Sequence, residues 1–165
     1  MRLSRTLLTA FAATLTLAAT AQAFPERPVN YIIPFNPGGE SDISARLQQP
    51  FFEKITGHEA VIQYQPGAGG SQAWSTLNTL PADGHTIMGT NLPHIVMQPM
   101  LQNPGYETDD LVNVYMFHYT PDALIVRADS DFASVQDVID AAMEAPGAFT
   151  VSGSGTNSAN DVANK

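Results

Sequence analysis

Residues 31–46 read YIIPFNPGGESDISAR, and this stretch organises the rest of the chain. An apolar, β-prone run (Tyr31, Ile32, Ile33) meets a Pro-Phe-Asn-Pro-Gly-Gly corner, after which Ser41 or Asp42 can cap a helix ahead of Ile43. A strand that breaks through a Gly-Gly turn into a helix leaves the first-turn N–H groups without intrahelical partners. The helix dipole adds positive potential at that end, so the corner suits an anion. Taken alone, it is also an ordinary strand-to-helix turn punctuated by Gly and Pro.

The N-terminal side of this stretch reads as a processing segment. Arg2 and Arg5 precede the apolar run Leu7–Ala19, and Ala21-Gln22-Ala23 forms an A-x-A site. This pattern predicts a secretory leader over residues 1–23, cleaved after Ala23, and a periplasmic mature protein. Cys is absent, so an exported chain of this kind relies on an ordinary core rather than disulfides. Of the seven basic residues two lie in the leader, which leaves five against sixteen acidic ones, a net charge of −11. That balance disfavours nucleic acid and anionic membranes as partners.

On the C-terminal side, strands alternate with helices. Val29–Pro34 and Ala60–Gln65 read as strands, and Ile43, Leu47, Phe51 and Ile55 share one face of a helix between them. Pro50 predicts a kink or early end to that helix, and Gly57 a C-terminal cap. A second glycine corner, Pro66–Ser71, precedes a helix carrying Ala73, Trp74, Leu77 and Leu80, with Ser71 as its N-cap. Further expectations are a strand at His85–Gly89, a helix near Ile95–Leu101 broken by Pro99, a loop over Gln102–Asp110, and strands at Leu111–Tyr119, Ala123–Arg127 and Phe149–Ser152. Ser134 and Asp137 form a capping box ahead of a helix to Ala145, and a third corner follows at Gly153–Asn157. The class is α/β with a mostly parallel sheet, and three corners of one design gather where such sheets bind ligands, beyond the carboxyl ends of the strands.

The residue types limit the chemistry. No phosphate-binding G-x-x-x-x-G-K-[ST] occurs, the only lysines are Lys54 and Lys165, and the four histidines are scattered with no H-E-x-x-H and no Cys. No metal or cofactor is expected. No G-x-S-x-G elbow exists, although the sequence leaves open a Ser–His pairing through His94 or His118. What remains is backbone N–H groups, hydroxyls (Ser41, Ser71, Thr90, Ser152, Ser154, Thr156) and amides (Asn91, Asn157), a set that recognises carboxylates through neutral hydrogen bonds.

At this point FPERPVNYIIPFNPGGESDISAR, QPGAGG at residues 65–70, ADGHT at 82–86, GTN at 89–91 and VSGSGTNSANDVAN at 151–164 carry a pattern. They resemble, in order, the signatures of substrate-binding receptors of tripartite tricarboxylate transporters, the Bug family. The resemblance runs from Phe24 to the C-terminus. It implies a two-lobed fold like that of type II periplasmic binding proteins, with residues 24–122 as the first part of lobe 1 and 123–165 as an incomplete start of lobe 2. It also implies a monomer without catalytic activity that captures a small organic carboxylate and delivers it to membrane permease subunits. Carried over position by position, it nominates Phe35, Gly38, Gly39, Ser41 and Asp42 from the first corner and Ala68, Gly69 and Gly70 from the second. Asn91 follows the third strand, and Ser152, Gly153, Ser154, Thr156 and Asn157 come from the third corner. Asp42 is expected to orient water or the loop. Asp161 stands where members often carry His, and Gln65 where Arg is often seen. Family receptors are about twice as long, so a truncated product is expected. A sensor domain of the same fold, or an exported α/β hydrolase acting on carboxylates, would be the alternatives; neighbouring sensor-kinase genes or Ser-dependent turnover would mark them.

Overall fold

The computed structural model describes residues 24–155 and 158–163. The leader reading over residues 1–23 and the site assignments at Thr156 and Asn157 lie outside the described residues. Strands β1 (Val29–Ile33), β2 (Ala60–Tyr64) and β3 (Thr86–Met88) form a parallel sheet in the order β2-β1-β3. The register runs Val29↔Ala60 to Ile33↔Tyr64 on one side of β1 and Asn30↔Thr86 to Ile32↔Met88 on the other. β1 is central, and Val29, Ile32 and Ile33 are buried accordingly. Because all three strands point the same way, the chain leaves each of them at one edge of the sheet, where the first two glycine corners lie. Two backbone bonds extend the ladder past that edge, Gln65 N–H to Ile33 and Gly89 N–H to Ile32, both 2.9 Å.

Helix α1 (Glu40–Thr56) continues past Pro50, contrary to the expected early end. Pro50 and Arg46, whose carbonyl loses its partner, are exposed, so water can replace the missing bond. Ile43, Leu47, Phe51 and Ile55 fall on one face of this helix as read, and that face is left open: they are 55 %, 67 %, 65 % and 83 % exposed. The helix instead lies on β2 through the neighbouring stripe, in which Asp42 and Ala45 are buried and Gln49 donates to the Ala60 carbonyl at 2.7 Å. Gly57 ends α1 in the left-handed region, its N–H on the Glu53 carbonyl.

The second corner forms a tight turn at Ala68–Gly70 and then α2 (Ser71–Trp74), a single turn of helix in which Ser71 is the first residue and Gly70 the cap. Ser71 is therefore not the N-cap; its hydroxyl folds back to the Ala68 carbonyl. Helix α3 (His94–Leu101) contains Pro99 without breaking. Pro99 deprives the Ile95 carbonyl of its helical donor, and the Thr108 hydroxyl supplies a replacement at 2.9 Å. Thr108–Asp110 is a short helical turn inside the expected loop. Trp74, Ile95, Tyr106 and Leu111 make the main buried cluster, with Leu77 and Met88 against it.

Beyond Leu111 the expected strands at residues 112–119, 123–127 and 149–152 are absent: these residues join no ladder, and Val112, Val114 and Ile125 are more than four-fifths exposed. Strand propensity needs a partner edge to act on, and the described residues offer none there. The capping box forms as read, with Ser134 accepting from the Asp137 N–H ahead of α4 (Val135–Glu144). Helix α5 (Ala159–Ala163) follows the third corner. No helix among the described residues is long and apolar enough to cross a membrane.

Candidate functional site

The three corners converge on a cavity of about 320 Å³. Pro34, Phe35 and Asn36 line it from the first corner, Pro66 to Gly70 from the second, and Ser154 and Gly155 from the third. None of these side chains is ionisable, so the wall is backbone, one amide, one hydroxyl and one aromatic ring.

The second corner has an unusual backbone. Gly67, Ala68, Gly69 and Gly70 have φ of 149°, 48°, 61° and 98°, a run of left-handed conformations that explains three glycines in four positions. Gly70 is required twice over, because a Cβ there would meet the Trp74 ring at 2.5 Å. The Ala68 and Gly69 carbonyls turn toward α3, where Gln98 Nε2 donates to them at 3.4 and 2.9 Å. Gly155 sits against this corner so closely that a Cβ on it would lie 3.1 Å from Gly69 Cα.

The first corner is held from within. Asp42 accepts from the Gly38 N–H at 2.8 Å, from Arg46 Nε at 2.8 Å and from the Tyr64 hydroxyl at 2.7 Å. These donors, the Gly38 N–H first and the Tyr64 hydroxyl next, hold the Asp42 carboxyl below the usual carboxylate range. Tyr64, donating to Asp42, is pushed up. Gly38, with φ of 85°, needs glycine; Gly39, with φ of −82° and its nearest neighbour at 3.6 Å, does not.

An aromatic layer backs the cavity. Phe35 meets Trp74 and His94 edge-on, with ring centroids 6.4 and 6.0 Å apart. Trp74 Nε1 donates to the Gly89 carbonyl at 2.8 Å, which ties the layer to the end of β3. His94 is buried, and burial lowers its pKa against the opposing pull of the Leu92 carbonyl and Asp122. It pairs with no serine, and His118 contacts Glu40, so no Ser–His couple forms among the described residues.

Of the nominated residues, the structure brings Phe35, Ala68, Gly69, Gly70 and Ser154 to the cavity wall. Gly38, Gly39, Ser41 and Asp42 stand behind the first corner: the Gly38 N–H is already given to Asp42, and the Ser41 hydroxyl points to Glu40. Asn91 carries the carbonyl that starts α3 and does not line the cavity. Ser152 and Gly153 precede the lining residues of the third corner, and the Ser154 hydroxyl and N–H both reach Asn160 Oδ1. Gly67 and Gly155 fall inside the quoted corners; Asn36, an amide between Phe35 and Pro37, joins them on the wall, and a corner amide is a readable sign of a polar contact. Gln98 had no sequence signal, since a glutamine in mid-helix looks like surface.

Comparison with known proteins places this arrangement. The family model described as the tripartite tricarboxylate transporter family receptor matches residues 44–164. A UPF0065 protein of Pseudomonas sp. is 33 % identical over 145 residues, covering 86 % of this chain and 43 % of that protein. BugT of Bordetella pertussis is 30 % identical over 142 residues, covering 83 % and 44 %. Among solved structures, an R. palustris protein with adipate superposes with a TM-score of 0.57 at 30 % identity, covering 75 % of this chain and 42 % of that one. A TctC solute-binding protein from Polaromonas, at 24 % identity and a TM-score of 0.53 over 74 % and 42 % of the two chains, shares the fold. The chain thus spans less than half the length of the relatives it matches, and within that span it belongs to the tripartite tricarboxylate transporter family of receptors.

Proposed function

We propose that the chain is the ligand-capturing part of a periplasmic solute receptor that takes a small carboxylate and presents it to the membrane permease of a tripartite transporter, without catalysis. One observation carries this reading: the cavity where the three corners meet is lined by backbone and neutral groups, the left-handed Gly67–Gly70 run among them. Successive turn-conformation N–H groups make an anion-binding concavity, and a carboxylate reaching an acidic chain needs such fixed local dipoles to overcome the general repulsion. The R. palustris relative solved with adipate supports the same ligand class. Residues 24–122 would form the first part of one lobe and 123–165 the start of the second, and capture would shift the population toward a closed arrangement that the permease senses. The monomer and the export expectation belong to this proposal.

Calorimetric titration with adipate and with hexanediol, its uncharged counterpart of equal chain length, tests the reading. Adipate is expected to bind at least about tenfold more tightly, a difference of about 1.4 kcal/mol. Equal affinity for the diol, or turnover of a carboxylate ester, would overturn it.

A further inference from the structure

The left-handed run of the second corner includes Ala68, a residue type that does not favour φ of 48°, so something outside the corner must hold it. Gln98 is placed to do so. Its side chain is fully buried, and its Nε2 faces two consecutive carbonyls, Ala68 at 3.4 Å and Gly69 at 2.9 Å. Its Oε1 accepts from the Tyr106 hydroxyl at 3.3 Å, which fixes the amide with its donor toward the corner. Tyr106 in turn lies in the core and also reaches the Ile95 carbonyl, the same group that Pro99 leaves without its helical donor and that Thr108 bonds. The chain from core to corner is therefore Tyr106, Gln98, then the two carbonyls.

A trans peptide points its N–H opposite its C=O. A donor that grips the Ala68 carbonyl from α3 thus turns the Gly69 N–H away from α3; Gly69 N lies only 3.3 Å from a Cβ placed on Gly155, on the side of the third corner. We propose that Gln98 is the positioning residue of the site: by donating to the Ala68 and Gly69 carbonyls it fixes the second corner so that the Gly69 N–H faces away from α3, and so selects anions, while the Gly70 N–H stays on the Gly67 carbonyl. This rests on the carboxylate reading above. An acceptor at position 98 would favour the opposite peptide orientation, with carbonyls toward the ligand.

Three variants of the chain test it: Gln98→Leu, Gln98→Glu and Tyr106→Phe. Each is read by adipate affinity relative to the unaltered protein at the same pH and by amide hydrogen exchange at Gly70 and Ser71, whose N–H groups bond to Gly67 and Ala68. Gln98→Leu is expected to weaken adipate at least about tenfold and to raise exchange at those two amides while β1 amides stay protected. Gln98→Glu is expected to weaken binding more near pH 8 and to recover part of it near pH 5, where burial keeps its carboxyl protonated and able to donate. The titratable neighbours of that position are Tyr106, which stays protonated throughout, and His94, one turn earlier on α3. Tyr106→Phe keeps the core filled and is expected to give a smaller loss of the same kind, so it carries the test if Gln98→Leu does not fold. Unchanged exchange at Gly70 and Ser71, or a Gln98→Glu affinity equal to the parent's at both pH values, overturns the assignment. Local loss of protection in a chain that binds no carboxylate at all would sink the function reading and leave the Gln98 role standing.

Discussion

Asp42 braces the first corner from within. Both its oxygens are engaged inside the protein, one by the Gly38 N–H and the other by Arg46 and Tyr64. Because its folded carboxyl is held below the ordinary value near 4, its stabilisation is complete above that value and is lost as pH falls through the lower folded one. Thermal melts should therefore show the unaltered chain losing more melting temperature than Asp42→Asn between about pH 7 and about pH 3. At the third corner, Gly155→Ala would place a Cβ 3.1 Å from Gly69 Cα at a φ of 144°, so it is expected to part the two corners and weaken adipate about tenfold or more in calorimetry. The glycines themselves were legible, since left-handed backbone advertises itself through composition. Gln98 was not, because its role depends on two carbonyls about thirty positions earlier in the chain.

At the scale of elements, periodicity revealed that α1 is a helix with an apolar stripe but not which stripe meets the sheet. The Asp42 network and Gln49 draw the polar side onto β2, and Phe51 is left 65 % exposed. Phe51→Gln is accordingly expected to change the stability of this chain by no more than about 0.5 kcal/mol in denaturant melts, where a buried Phe would cost several times that. The prolines misled for a related reason: Pro99 looks like a breaker until the distant Thr108 hydroxyl is seen on the Ile95 carbonyl. The capping box at Ser134 and Asp137 is local, and it was read correctly for that reason. Ser134→Ala should remove about 1 kcal/mol from α4 and lower helical content in circular dichroism. Strand readings failed over 112–127, where β-prone residues find no described edge to join.

For the whole molecule, the parallel order β2-β1-β3 brings the ends of the strands to one edge, which places the corners after β1 and β2 side by side on the cavity wall; the third corner, Ser154 and Gly155, reaches it without a strand of its own. The family and its α/β class were readable from motifs because the corners are contiguous stretches of sequence. The distribution of exposed apolar surface was not readable, since it depends on which elements the described residues bring together. The central claim is that backbone N–H groups of the glycine corners hold a carboxylate. Titrating adipate into the nitrogen-labelled chain, and following its amide resonances, tests it most directly. Shifts are expected to concentrate at Phe35, Asn36, Ala68, Gly69, Gly70, Ser154 and Gly155, with no such response to hexanediol. Shifts confined to other residues, or an equal response to the diol, would contradict it.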